Sequence, residues 1–320
     1  MRKKILATVL SGAMLMGCLT GCGSSAQTSV STGTEASTVA ESSSETPDTS
    51  ETPDTSETPE TTDAGGESEL LKSIKEKGYI TIASSNDAPL CYQDINTGEL
   101  AGIDIMIFNE ACKRLGIPKI EMKVIDFSNM LVELNNNSVD MVVDAMYIKD
   151  ERLDVALFTD VWYQEGEAVV VKKGSEFTTK ESLANASMGA QPGTAFYETA
   201  ENWLAEGKIK ELVGYENQAT LMTAVNTGKV DAAVTDGIVL AYTLSQDSNL
   251  DLEMLSPYEA EASGRIGAAV RFEDKAFLEE FNDVLNEMKE DGTLLQILKD
   301  FGLNEDYYVG VEDGKTANKQ

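Results

Sequence analysis

The chain has 320 residues, with 25 Lys plus Arg against 55 Asp plus Glu, a net charge of −30 at pH 7 and no histidine. That balance repels phosphate backbones, so nucleic acid is not expected as a partner. The missing histidines exclude Ser-His-Asp and Cys-His catalysis, HExxH zinc chemistry and a histidine pH switch, and four cysteines are too few for a disulfide-dense scaffold.

In chain order, Met1-Arg2-Lys3-Lys4 is a basic start before the apolar run Ile5 to Leu19. The run is too short and Gly-interrupted for a stable membrane span but suits a secretory signal. It ends in Leu19-Thr20-Gly21-Cys22, which looks like a bacterial lipobox; Leu15-Met16-Gly17-Cys18 is a weaker second match. The expectation is a signal peptide over 1–22 and a lipid anchor on Cys22, at the extracytoplasmic face of a bacterial membrane. Residues 23–69 are Ser, Thr, Glu, Asp and Pro with eleven acids and no Lys or Arg, including three hexads from Glu45 to Thr62. Nothing in them can bury an apolar face, so they read as a disordered, self-repelling tether.

From Leu70 the pattern alternates strand and helix periods. A short helix around Leu70 to Ile74 closes at Gly78, and Tyr79 to Ala83 follows as a strand. Next come a helix over Ile103 to Leu115, an alternating strand over Ile120 to Val124, a helical Phe127 to Asn135 and a buried strand over Val139 to Met146. Ala168 to Val171 is a further apolar run. The pattern then restarts with strand Ser187 to Ala190, helix Thr194 to Leu204, strand Ile209 to Tyr215, helix Ala219 to Asn226 and strand Val230 to Val234. A strand over Gly264 to Val270 and helices over Phe277 to Met288 and Leu294 to Phe301 close the fold. Repeated βαβ spacing implies an α/β protein with mostly parallel sheets and a ligand at the carboxyl ends of strands. Two blocks of it suggest two lobes and a cleft. Cys112 falls in an apolar helical pattern and reads as a core thiol, while a Cys91–Cys112 disulfide is left open.

Five segments in order resemble the extracellular solute-binding proteins of polar amino-acid ABC importers, solute-binding family 3. They are Gly98-Glu-Leu-Ala-Gly102-Ile-Asp104-Ile, Asp126-Phe127 to Leu134 with Val139-Asp140, Tyr147 to Arg152 through Phe158 to Tyr163, Gln191-Pro-Gly193-Thr194, and Gly228 to Asp236. The resemblance implies a two-lobed, type II periplasmic-binding-protein-like fold over about 70–304. One lobe would span about 70–165 and 265–304 and the other about 166–264, with 305–320 as a polar tail. It also implies no cofactor or metal, no catalysis, an amino acid or similar small zwitterion as ligand, permease subunits as partners and a monomeric state.

By the same resemblance Arg152 holds the ligand carboxylate, Asp236 receives the ammonium and Phe127 stacks on the side chain. The amides of Gly193, Thr194 and Ala195 complete the carboxylate cage, and the backbone from Ala145 to Tyr147 lines the pocket. These residue types suit the chemistry, because burying a zwitterion requires partners for both charges, and a guanidinium pairs two-pronged with a carboxylate. Read without the family, Arg152 is a surface arginine paired with Asp150, Glu151 or Asp154; Asp236 is a helix N-cap, and Phe127 a core residue.

The sequence departs from the family at several points. Ala88-Pro89-Leu90 replaces a Pro-Pro-Phe segment, and Tyr147 and Lys149 replace the two Thr positions before the Arg. Asp144 stands where a small residue is usual and Ser85 where some members carry an acidic selector. Asp144 favours a cationic ligand and Lys149 argues the other way. Gly310-Val-Glu-Asp-Gly314-Lys315-Thr316 is one residue short of a phosphate loop and is not followed by a helical pattern. An enzyme of the dehydratase kind on this fold, or a ligand sensor, are the rival functions.

Overall fold

The computed structural model describes residues 66–247, 249–261 and 263–319, and these belong to one compact unit spanning 62–320. The signal peptide, Cys22 and nearly all of the tether lie outside the described residues. No helix among them is long and apolar enough to cross a membrane.

α1 (Glu69–Lys77) starts at Ser68, whose hydroxyl accepts the Leu71 N–H at 3.3 Å, and stops at Gly78 in the left-handed region. It buries Leu71 and Ile74 and feeds β1 (Ile80–Ser84), which is buried along its whole length. A small hairpin, β2 (Tyr92–Gln93) and β3 (Leu100–Ala101), leads into α2 (Ile103–Leu115), whose bounds are those the sequence suggests. β4 (Ile120–Val124) is an edge strand and does not alternate, its last two residues being exposed. A 3₁₀ turn at Phe127–Asn129 opens α3 (Met130–Asn135). The predicted strand over 139–146 is strand only at β5 (Met141–Val142), because Ala145 leaves the extended region with a φ of 46°. α4 (Asp150–Leu153), β6 (Leu157–Phe158) and β7 (Tyr163–Glu165) complete this stretch.

After β7 the chain enters β8 (Glu167–Lys172), then β9 (Ser187–Ala190), α5 (Ala195–Ala205), β10 (Glu211–Gly214), α6 (Gln218–Asn226) and β11 (Ala232–Asp236). α7 (Gly237–Gln246) and β12 (Leu252–Met254) follow. The single strand expected over 264–270 divides into β13 (Gly264–Ile266), which pairs with β7, and β14 (Ala269–Val270), which joins the first sheet. α8 (Lys275–Glu290) and α9 (Thr293–Asp300) close it; their apolar faces cover Phe108 and Trp162, with the Phe281 ring 5.8 and 6.0 Å from theirs.

The two lobes repeat one plan. The first sheet runs β4-β1-β5-β14-β6 and the second β10-β9-β11-β8-β12. In each, the central strands are parallel and the returning strand is antiparallel, so the sheets are mixed rather than mostly parallel. The reason is the double crossing, because a strand that comes back from the other lobe enters against the grain. Cys91 and Cys112 are both buried free thiols, and burial pushes Cys112 up to about 12, as for a core cysteine. Residues 305–319 form a strap on the first lobe. Val161 N–H donates to Gly314 O at 2.8 Å, Lys315 pairs with Asp160 at 2.8 Å, and Asn318 bonds both the N–H and the C=O of Phe158. The phosphate-loop-like run lies within that strap.

Candidate functional site

The carboxyl ends of the parallel strands converge on one cavity, as the α/β rule requires. β1 delivers Ser84, Ser85 and the turn bearing Asp87; β5 delivers Asp144; β9 delivers Gln191; and β11 ends at Asp236. The wall includes Asp87, Leu90, Phe127, Asp144, Arg152 and Asp236, with Ala145, Tyr147, Thr194 and Ala195 beside them. Its volume is about 30 Å³, the scale of a water rather than of an amino acid. The lobes are therefore closed, and they must part to admit a ligand.

Arg152 is buried, not a surface residue, and no nearby acid of its own helix holds it. Its guanidinium donates to Tyr147 O at 2.7 Å and to Gly193 O, on the opposite lobe, at 2.9 Å. The Phe127 ring lies 5.5 Å from it, within cation–π range. Phe127 is half-buried, and so free to offer a face to the cavity. Two short helix-capped segments fix the second lobe's contribution. Thr194 caps α5, its hydroxyl accepting the Tyr197 N–H at 3.1 Å, which leaves the first turn of α5 pointing at the cleft. Gly193 has a φ of 84°, and a Cβ there would come within 2.8 Å of Ser128 Cα across the cleft, so only glycine permits this closure.

Asp236 is both the last residue of β11 and the N-cap of α7, accepting the Val239 N–H at 2.8 Å. The helix-cap reading is correct, and the same carboxyl also faces the cavity. Glu165 of β7 lies against it. Glu165 Oε1 accepts the Tyr147 hydroxyl at 2.9 Å, whereas Oε2 is buried and receives no donor. Burial and then the Asp236 charge push Glu165 well above the usual carboxylate range. Burial beside a second carboxyl thus favours the neutral form of Glu165. Burial raises Asp236 too, opposed by the neighbouring Glu165 and by the Val239 and Ile238 amides.

Asp104, the second residue of α2, positions the first-lobe wall. It accepts the Ala145 N–H at 2.6 Å and the Tyr163 hydroxyl at 2.8 Å, holding Ala145 in its unusual backbone conformation; burial pushes it to about 6. Tyr147 is not available to assist Arg152 with its hydroxyl, which is committed to Glu165. Its ring stacks edge-on against Phe196 at 5.5 Å and fills the space a Gly264 Cβ would need.

Two of the expected residues lie outside the cavity wall. Lys149 is not in the cavity wall; it is ion-paired with Glu198 and Glu151 and lines a separate outer groove of about 990 Å³. Ser85 is not a wall residue either but a support, its hydroxyl contacting both Asp87 and Asp144. Asp144 itself is buried in the wall, and burial and the Asp87 charge push it to about 8. Sequence reasoning misses Asp87, Gln191, Gln218 and Glu165 as site residues. Asp87 is signalled by its place one residue before the Ala88-Pro89 turn; Glu165 carries no local signal, since only the strand crossing brings it to Asp236. Among the described residues, no group of His, Cys, Asp and Glu could hold a metal ion.

Two wound α/β lobes joined by a double strand crossing, with charged groups from both lobes on one cavity, define a two-lobed type II binding protein. Residues 80–304 match the family model for bacterial extracellular solute-binding proteins, family 3, and the chain belongs to that family. The L-cystine-binding protein TcyA of Bacillus subtilis is 28% identical over 238 residues, covering 74% of this chain and 86% of that protein. The ABC transporter glutamine-binding protein GlnH of the same organism is 28% identical over 73% of this chain and 84% of its own. Among solved structures, an ancestral arginine-binding protein bound to arginine matches with a TM-score of 0.64 at 28% identity, covering 70% of this chain and 98% of that one. An ancestral amino acid-binding protein described as a precursor of cyclohexadienyl dehydratase matches with a TM-score of 0.64 at 27% identity, covering 72% and 98%.

Proposed function

We propose that this protein is the substrate-binding component of an ABC importer, lipid-anchored through Cys22 outside the cytoplasm, that closes on a free amino acid and presents it to permease subunits. The observation that carries the reading is the placement of a buried cation, Arg152, and a buried carboxylate, Asp236, from different lobes on one cavity. An amino acid brings the complementary pair, and its carboxylate takes over the guanidinium donors that now reach Gly193 O. Each charge-assisted hydrogen bond is worth about 1.5–3 kcal/mol, enough to stabilise closure around the ligand. The relatives named as cystine-, glutamine- and arginine-binding support an amino acid as the class. A first lobe of about 70–165 and 265–304 and a second of about 166–264 would move as the two bodies, monomerically, about the β7–β13 crossing.

A thermal-shift screen of the purified protein against the common amino acids tests this. At least one L-amino acid is expected to raise the melting temperature by several degrees, and a flat response to all of them would sink the reading. The dehydratase-like enzyme is the alternative, favoured by the buried Glu165, which burial raises well above the carboxylate range, and by the likeness to a dehydratase precursor. Turnover of a prephenate-like substrate would establish it, and stable binding without turnover supports the binder.

A further inference from the structure

Asp87 and Asp144 are not used by a plain zwitterion. With a ligand carboxylate on Arg152 and an ammonium on Asp236, the charged groups of the wall cancel except for this pair. The pair is also short of donors. Ser85 Oγ lies 2.5 Å from Asp144 Oδ2 and 2.8 Å from Asp87 Oδ2, yet a hydroxyl has one proton and serves one of them at a time. Ser84 Oγ is divided in the same way between Asp144 Oδ1 and Cys91 O, both at 2.7 Å. Only the Ser85 N–H, at 3.1 Å, is an undivided donor to Asp144. Asp87 takes the backbone N–H of Gln218 from the opposite lobe. Lys149, the one side chain that argued for an anionic ligand, is turned outward onto Glu198 and Glu151.

The same cavity presents Leu90 and Phe127, apolar surface of the kind that covers an aliphatic stem while leaving its charged head free. We propose that the ligand's side chain ends in an ammonium or guanidinium group that seats on Asp87 and Asp144, with its methylene stem against Leu90 and Phe127. The selectivity so defined rests on the zwitterion reading above and is for a basic amino acid. It arises from positions where this chain departs from the family, Asp144 replacing a small residue and Asp87 standing in a turn without an aromatic. Burial raises both carboxyls, and a cationic head seated on them favours their ionised forms, so binding releases protons.

Calorimetry of the wild-type protein with matched pairs tests the proposal without any variant. L-Arginine against L-citrulline, and L-lysine against L-norleucine, differ chiefly in the terminal charge. The cationic member is expected to bind about 10- to 100-fold more tightly, as a charged hydrogen bond would give. Proton release should accompany it, seen as a dependence of the heat on buffer ionisation enthalpy. Equal affinity within either pair overturns the proposal and leaves the zwitterion reading standing. L-Cystine binding as tightly as L-arginine also overturns it, since its far end carries a carboxylate as well as an ammonium. Failure of every α-amino acid overturns both. The isosteric Asp144→Asn and Asp87→Asn variants should shrink the arginine–citrulline ratio several-fold; if both leave it unchanged, the assigned seat is wrong.

Discussion

Arg152 and Asp236 are anchored by backbone groups, whereas Asp87 and Asp144 each have one backbone N–H and otherwise depend on serine hydroxyls that they share with each other and with Cys91 O. Backbone carbonyls and helix amides do not rotate away, so the first pair is fixed in place. Shared hydroxyls leave the second pair adjustable, and its charge depends on what sits beside it. The first end follows the family's pattern and the second departs from it. On the proposed function, the difference separates a clamp for any amino acid from a seat for one kind of side chain.

The largest effects should come from breaking the fixed end. Arg152→Ala and Asp236→Ala are each expected to weaken ligand binding by about 100-fold or more by calorimetry, since each leaves a ligand charge without a partner. Asp236→Ala also removes the α7 cap, at a cost of about 0.5–2 kcal/mol in denaturant melts. Arg152→Lys should recover only part of the affinity, because an ammonium lacks the fork that serves two acceptors.

At the adjustable end the expected effect is one of pH. Burial raises the carboxyls of Asp104 and Asp87 to about 6 and of Asp144 to about 8, above the ordinary value of 3.8. The folded protein then holds more protons than the unfolded chain, and stability from these groups falls as pH rises from about 4 towards 8. Urea melts of the wild type and of Asp144→Asn at pH 5 and pH 8 measure it; the variant should lose less stability over that interval. A wild-type loss no greater than the variant's would remove the burial account of Asp144.

Glu165, raised by burial beside Asp236, is expected to act as a neutral acid. Glu165→Gln keeps an acceptor for Tyr147 and a donor for Asp236, so binding and melting temperature should change little, affinity by less than about 3-fold. Glu165→Leu leaves the Tyr147 hydroxyl and Asp236 without it and should lower both measurably. If Glu165→Gln is as harmful as Glu165→Leu, Glu165 is ionised and the neutral-acid expectation is wrong. The smallest effect belongs to Lys149→Ala. Exposed ion pairs contribute about 0–1 kcal/mol, so losing the contact to Glu198 should loosen closure slightly without changing which amino acid binds.

Much of the fold, and the convergence of Arg152, Asp236, Phe127 and Thr194 on one cavity, is legible in the amino-acid sequence. The α2 bounds follow from its apolar period and Gly116, and Thr194 and Asp236 fall in the right places because caps are local. The expectation of mostly parallel sheets fails because a returning strand looks like any other apolar run; nothing local in Ala168–Val171 or Ala269–Val270 says which way it faces. The outward place of Lys149 is hidden for a similar reason. Tyr147, Ile148 and Asp150 line the outer groove with it, and its ion-pair partner Glu198 is remote in sequence. Glu165 is invisible to sequence reasoning because its meaning depends on Asp236, seventy-one positions later.

The claim that both charges of an amino acid are clamped can be tested on the ligand instead of the protein. The L-amino acid that gives the largest thermal shift should be titrated calorimetrically beside its methyl ester and its Nα-acetyl derivative. Removal of either charge is expected to reduce affinity by about 100-fold or more, because Arg152 or Asp236 then faces an uncharged group. Retained affinity in either derivative would contradict the clamp.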